Sequence, residues 1–166
     1  PYADLTYSLP EYLAGCSFHL GQRVLVPLGK SLRAGIFRAF EPDTGNSEGE
    51  YKLKSILWPL EKEALLPASY IDLVQQMANR QTENFGRIMG TILPAGLRSG
   101  KARMRFFSGL KPVELQPKDL HAMPTEGLIE LGRLWQPGKA EVLRPGLSPL
   151  DAELCCLAHD PPWPVR

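Results

Sequence analysis

The first residues with the types and spacing for chemistry are Gly29-Lys30-Ser31, which read like the end of a phosphate-binding loop. Such a loop aims backbone amides at a nucleotide triphosphate from the start of a helix, and it needs a glycine five positions before the one preceding the lysine. Here that position is Val24, and the following residues, Leu32-Arg33-Ala34-Gly35-Ile36-Phe37, have the make-up of a strand. Nucleotide binding at this point is not expected. Other reactive groups are dispersed: His19, His121 and His159 lie far apart, and no serine sits in a G-x-S-x-G elbow. Cys155, Cys156 and His159 come nearest to a metal set. Adjacent cysteines lack the loop that spaces thiolates around zinc, and Leu154 and Leu157 beside them suit a buried helix face. The expectation is a chain with no catalytic residue, no metal and no cofactor of its own.

What remains is the chemistry of binding. The formal net charge of +1 is unevenly spread, with seven Lys/Arg against nine Asp/Glu in residues 1–79 and five against eight in residues 112–166. Between them, Arg80, Arg87, Arg98, Lys101, Arg103, Arg105 and Lys111 face the single acid Glu83, seven against one, or +6. That stretch is either an anion-binding footprint or a solvated basic face. A second set lies earlier, where Arg23, Lys30, Arg33, Lys52 and Lys54 are interleaved with Tyr7, Phe37 and Tyr51. Cations that track phosphates beside aromatic rings that meet bases make a single-strand-binding surface. Each ring serves a core equally well, because alternate strand positions must point inward.

The elements that carry these residues begin with short strands at Leu5 to Leu9, Gln22 to Leu28, Ala34 to Phe40 and Tyr51 to Trp58, separated by turn residues. This spacing predicts a small antiparallel, OB-like barrel or meander. Four strands are few for a closed barrel, so a further strand ahead of Pro1 is expected. After Pro67 the period becomes helical, with Tyr70, Val74, Met77 and Ala78 on one face. A second short helix is expected from Thr82, as its cap, to the residue before Pro94, with Phe85, Ile88, Met89 and Ile92 inward. Beyond residue 100 the many prolines predict a linker-like chain with short helices at Thr125 to Leu134, capped by Thr125 with Leu128, Leu131 and Leu134 inward, and at Leu150 to Leu157. The fold class is therefore α+β, mainly β: a barrel domain over 1–105 and a partly helical, Pro-rich segment over 106–166.

A chain of 166 residues, 43% hydrophobic and 22% charged, has the composition of a globular protein with one full core and a smaller unit. It contains no apolar run of membrane length, and its first residues do not read as a signal peptide. Three cysteines, two of them adjacent and able to pair only with strain, fit a reduced, cytoplasmic setting.

Specific motifs sharpen this reading. Leu5-Thr6-Tyr7-Ser8-Leu9-Pro10-Glu11 resembles the "F/L-[DT]-Y-x-[VL]-P-E" opening of the primosomal protein N′ family of replication-restart helicases. Gly21-Gln22-Arg23-Val24-Leu25-Val26-Pro27-Leu28-Gly29-Lys30 is similar to its "G-x-R-V-x-V-P-F/L-G-K" signature. Arg33-Ala34-Gly35-Ile36, Tyr51-Lys52-Leu53-Lys54-Ser55-Ile56 and the Leu93-Pro94 stretch follow in the same order as their family counterparts, so the resemblance covers residues 1 to about 105. It implies a module that captures the 3′ end of a DNA strand at a stalled fork. A linker and the start of a winged helix would occupy residues 106–166, and an ATP-dependent 3′-to-5′ helicase, with its zinc-binding cysteines, would follow beyond Arg166.

Carried over by residue, the family's 3′-end pocket falls on Leu5, Thr6, Gly29 and Lys54, with Lys30 and Arg23 as added DNA contacts. Gly29 lets a base or sugar approach the backbone, Lys54 pairs with a phosphate, and Leu5 packs on the terminal base. Well-known members carry Phe and Asp where this chain has Leu5 and Thr6. The threonine hydroxyl accepts a hydrogen bond from a 3′-hydroxyl as a neutral group, more weakly than a carboxylate does. Expected partners are the 3′ end of single-stranded or forked DNA and, through the full-length protein, other primosome proteins and a single-strand-binding protein, with no membrane. The rival is a protein-interaction barrel whose groove holds a partner segment. A DNA groove gathers Lys54, Lys30 and Arg23 on one concave face, whereas a peptide groove is largely apolar.

Overall fold

The largely apolar run Arg23–Leu28, buried at four successive positions, forms strand β1, turns on Gly29-Lys30 and returns as β2, Ser31–Ile36, in antiparallel register from Leu28↔Ser31 to Arg23↔Ile36. Gly29 has φ +59° and Lys30 does not share a positive φ, the pattern of a two-residue type II′ hairpin whose twist suits the flanking strands. On the other side of β1 lies the two-residue β3, Trp58–Pro59, paired through Val24↔Pro59 and Leu25↔Trp58. Pro59 sits in an edge strand, and the N–H that Pro27 lacks would point away from β2, past the end of the two-residue β3, so neither proline breaks a ladder. The computed structural model describes residues 4–41, 53–98, 100, 102–108, 111–135 and 139–143.

Three helices follow. α1, Ala68–Gln81, buries Ile71, Val74 and Ala78 and ends on Thr82, whose φ of 51° is left-handed. α2, Phe85–Ile92, is capped by Asn84, whose side chain accepts from the Gly86 N–H at 2.9 Å, and buries Phe85, Ile88 and Met89. With the short α3, Ala95–Arg98, they enclose a core of their own together with Leu65, Leu66 and Leu93. Thr82 was expected to open α2. It closes α1 instead, because an N-cap needs an extended backbone, which Asn84 has. Ile92, expected inward, is exposed at the end of α2, and Leu93 takes the buried place.

The largest departure comes after residue 100. β4, Arg103–Ser108, pairs on one side with β5, Lys111–Leu115, and on the other with β6, Ala140–Leu143. Between β5 and β6 lie α4, Pro117–Ala122, and α5, Thr125–Leu134. The expected boundary at 105/106 falls inside β4, and the described residues of 106–143 carry strands and helices. Met104, Phe106, Leu120, Leu128, Leu131, Trp135 and Ala140 share one buried cluster with Leu13, Val24, Val26, Ile56 and Trp58. The prolines punctuate this region without preventing order: Pro112 lies on the edge strand β5, and Pro117 opens α4, where a missing N–H interrupts no bond. The helix expected from Thr125 is present, but Pro124 occupies the cap position and no side-chain cap bond forms.

Trp58 joins the two halves. Its ring meets Tyr12, Phe106 and Trp135 at centroid distances of 6.2, 6.1 and 5.5 Å. α5 docks so closely on the helical turn Glu11–Leu13 that a Cβ on Gly132 would overlap the Tyr12 carbonyl. The α+β class holds, with two three-stranded antiparallel sheets, β2-β1-β3 and β5-β4-β6, and no closed barrel among the described residues. Leu5 to Leu9 is not a regular strand, since its only ladder contact is a parallel bridge between Ser8 and Ser55. The expected helix at Leu150 to Leu157, the Cys155, Cys156 and His159 set, and Tyr51, Lys52 and Lys101 lie outside the described residues.

Candidate nucleic-acid interface

Three separate pieces of chain converge where the sequence placed the 3′-end pocket. The Ser8 N–H donates to the Lys54 carbonyl at 3.0 Å, the Ile56 N–H donates to the Ser8 carbonyl at 3.0 Å, and the two hydroxyls of Ser8 and Ser55 lie 2.9 Å apart. This bridge fixes the Leu5–Ser8 segment against Lys54. Between them, Tyr7 turns inward and its hydroxyl donates to the Pro27 carbonyl at 3.2 Å, two residues before Gly29. Burial pushes the Tyr7 phenol up from its ordinary pKa, which keeps it the neutral donor that this bond requires. The Leu5–Ser8 segment is thus tied to Lys54 on one side and to the strand that leads into the Gly29-Lys30 turn on the other, and Leu5, Thr6, Lys54, Gly29 and Lys30 are all exposed.

Leu5 is 51% exposed, an apolar side chain offered to solvent. Gly29 has nothing within 4 Å of where a Cβ would stand, so a ligand can approach the turn backbone. Lys30 occupies the second turn position. Arg33 lies directly opposite Val26 and so emerges exposed on the same face of the hairpin as Val24 and Val26. Tyr7 and Phe37 pack against the cluster to which those valines belong, so both rings are at least partly core.

Arg23 does not belong to this surface. It is 1% exposed, its Nε donates to Glu61 at 2.8 Å, its Nη2 makes a close ion pair with the same carboxylate, and its Nη1 donates to the Leu97 carbonyl at 2.9 Å. Odd-numbered β1 positions face away from Val24 and Val26, and a guanidinium pointing that way is sealed beneath α3 rather than turned to a phosphate. The arginine of the expected DNA set is thus a structural ion pair that ties β1 to the chain after β3 and to α3.

The basic stretch 80–111 does not form a uniform patch either. Arg87 pairs with Glu83 at 3.0 Å, Arg105 pairs with Glu114 across β4–β5 at 2.8 Å, and Arg98 donates to the Gly90 carbonyl at 3.0 Å. These cations serve local contacts on α2, α3 and the second sheet.

Two residues at the interface were not singled out from the sequence. Glu41 accepts a hydrogen bond from the Thr6 hydroxyl at 3.3 Å, and Arg38 pairs with Asp4 at 3.1 Å while donating to Gln75 at 2.8 Å and lying 4.4 Å over the Phe85 ring. Together they bind the chain after β2 to the Asp4–Thr6 segment. Glu41 reads in sequence as the first residue of a polar turn, and no local signal marks a contact to a residue 35 positions earlier.

Among the described residues no group of three or more His, Cys, Asp or Glu could hold a metal, and no helix is long and apolar enough to cross a membrane. A family model described as the 3′ DNA-binding domain (3′BD) of PriA matches residues 2–94, the stretch that contains β1 to β3, α1 and α2. The replication restart protein PriA of Haemophilus influenzae is 35% identical over 89 residues, which are 54% of this chain and 12% of that protein. The chain thus aligns with a small part of that relative's length. With a match over more than half of its residues, centred on the segment that carries the Tyr7-anchored surface, the chain belongs to the family of PriA 3′ DNA-binding domains.

Proposed function

We propose that this chain is a non-catalytic module that captures the free 3′ end of single-stranded DNA at a stalled replication fork and positions a 3′-to-5′ helicase for replication restart. The observation that carries the reading is the convergence on Tyr7. The Ser8–Lys54 hydrogen bond and the Tyr7–Pro27 hydrogen bond tie together the segments that carry the exposed Leu5, Lys54 and the open Gly29-Lys30 turn, which supports the reading. Lys54 and Lys30 are suited to backbone phosphates, Leu5 to the face of the terminal base, and the Gly29 turn to close approach of the sugar. Binding of this kind releases counterions and weakens as salt rises.

Fluorescence anisotropy with one short oligonucleotide, carrying either a free 3′-hydroxyl or a 3′-phosphate, tests the proposal. The expected result is tighter binding of the free hydroxyl form, with Lys54→Ala weakening both by roughly 3- to 10-fold and lowering the salt slope by about 1. Equal affinity for the two forms in the unsubstituted protein overturns 3′-end capture and leaves a general single-strand binder. No binding at all favours the rival, a groove for a partner protein segment. That rival has a specific foothold in the cleft between the Glu11–Leu13 turn and α5, lined by Tyr12, Cys16, Lys62, Arg133 and Trp135.

A further inference from the structure

We infer that Phe40 is an aromatic platform on which a nucleobase of the bound strand stacks, one or two nucleotides before its 3′ end. This rests on the single-strand binding proposed above and adds a contact outside the expected set of Leu5, Thr6, Gly29, Lys30 and Lys54.

Phenylalanine is a side chain that folding ordinarily hides, yet Phe40 is 61% exposed, the most exposed of the large apolar side chains among the described residues. It is held in place all the same. Its ring meets Phe37 at a centroid distance of 5.0 Å and an interplanar angle of 64°, and Phe18 at 6.0 Å and 82°, both edge-to-face arrangements. Phe18 and Phe37 are 5.5 Å apart and pack in turn against the buried cluster around Trp58. The two contacts fix the orientation of the Phe40 ring and leave most of its surface to solvent. A ring oriented before binding loses little rotamer freedom when a base covers it.

The strip that carries Phe40 is tied on both sides of it to the segment Asp4–Thr6. Arg38 donates to both Asp4 oxygens, at 3.2 and 3.1 Å, and Glu41 accepts from the Thr6 hydroxyl. Arg38 also donates to Gln75 of α1 at 2.8 Å and lies 4.4 Å over the Phe85 ring of α2, so the first tie is rooted in the helical core. The residue between Asp4 and Thr6 is the exposed Leu5, suited to the terminal base. Successive bases of a single strand stack on successive apolar and aromatic side chains, and Phe40 is the aromatic one beside this segment. The surrounding charges select a base over a phosphate, since Arg38 spends its charge on Asp4 and the neighbouring Glu41 is an acid. A Phe40 that served only to cover Phe37 and Phe18 could be replaced by leucine, whereas a platform needs a flat ring.

The test is an anisotropy titration of the same chain with one oligonucleotide, intact or with a single abasic sugar at the second or third nucleotide from a free 3′-hydroxyl. Phe40→Ala and Phe40→Leu are each expected to weaken binding of the intact form by roughly 5- to 20-fold, and Phe40→Trp to keep or tighten it. In the unsubstituted protein, removing the base at one of the two positions is expected to cost a similar factor, and that cost vanishes in Phe40→Ala and Phe40→Leu. An unfolding temperature of Phe40→Leu within about 2 °C of the unsubstituted protein shows that stacking, and not folding, was lost. If both variants bind the intact form within about 2-fold of the unsubstituted protein, or lose the same factor on intact and abasic forms, Phe40 is not a platform. A preference of the unsubstituted protein for a 3′-hydroxyl over a 3′-phosphate then leaves 3′-end capture standing. If that preference is absent while the base-dependent loss still disappears in the variants, 3′-end capture falls and the platform stands. Binding of no oligonucleotide overturns both.

Discussion

Arg23 and Lys54 are both cations that the sequence suggests for DNA contact, yet they belong to opposite regions of the molecule. Arg23 lies in a sealed seam where β1, the chain after β3, and α3 meet, with every nitrogen directed at Glu61 or a backbone carbonyl. Lys54 lies at the open end, where one parallel bridge and one tyrosine hydroxyl hold three strips of chain and the side chains face solvent. The seam spends its polar groups on one another and defines shape. The open end keeps its polar groups available, and it can do so because the seam and the Trp58 cluster behind it supply the rigidity. A binding surface with few hydrogen bonds of its own depends on a core that has no freedom left.

Four substitutions break or sharpen this contrast. The largest effect is expected at the seam: Glu61→Ala leaves Arg23 as a buried charge without its partner and should cost about 3–5 kcal/mol in urea denaturation. A loss below about 1 kcal/mol would mean that the seam is not sealed. Next is Gly132→Ala, which drives a methyl into the Tyr12 carbonyl where α5 docks on the Glu11–Leu13 turn, and should cost about 1–3 kcal/mol. Because α5 belongs to the shared core, this variant should lower the stability of the β1–β2 hairpin as well, seen as faster amide exchange at Val24 and Val26. The smallest effect on stability belongs to the open end. Gly29→Ala has open space for its methyl but a positive φ to hold, a strain of about 1 kcal/mol, whereas Lys54→Ala should change stability by less than about 0.5 kcal/mol while weakening DNA binding. A Lys54→Ala variant that unfolds more easily would place that lysine with Arg23 in the structural class.

Much of the site was legible in sequence for identifiable reasons. The hairpin follows from two strand-forming runs around Gly29-Lys30, a turn whose chemistry is local, and the strand after that turn leaves no helix start for a phosphate-binding loop. The α1 face was readable from its period, although Ile71 is buried and Tyr70 and Met77 are only partly so. The second sheet was hidden because Pro112, Pro117 and Pro124 suggest interruption, while their actual places, an edge strand and helix starts, are those where a missing N–H does no harm. The Thr6–Glu41 contact was hidden because it joins residues 35 apart through an exposed turn, with no periodicity to announce it.

The sequence by itself determined the class of elements, the hairpin turn, the helical face after Pro67 and the collinear motifs by which the chain belongs with PriA 3′ DNA-binding domains. These are properties of neighbouring residues, set by local backbone preference and by the periods of strand and helix. Only the tertiary structure decided which cations face water and which are sealed, that Met104, Phe106, Leu120, Leu131 and Trp135 share the first sheet's core, and that Glu41 accepts from Thr6. Those outcomes depend on which distant surfaces meet, because a charged side chain becomes buried or exposed through what packs over it and not through its place in the chain.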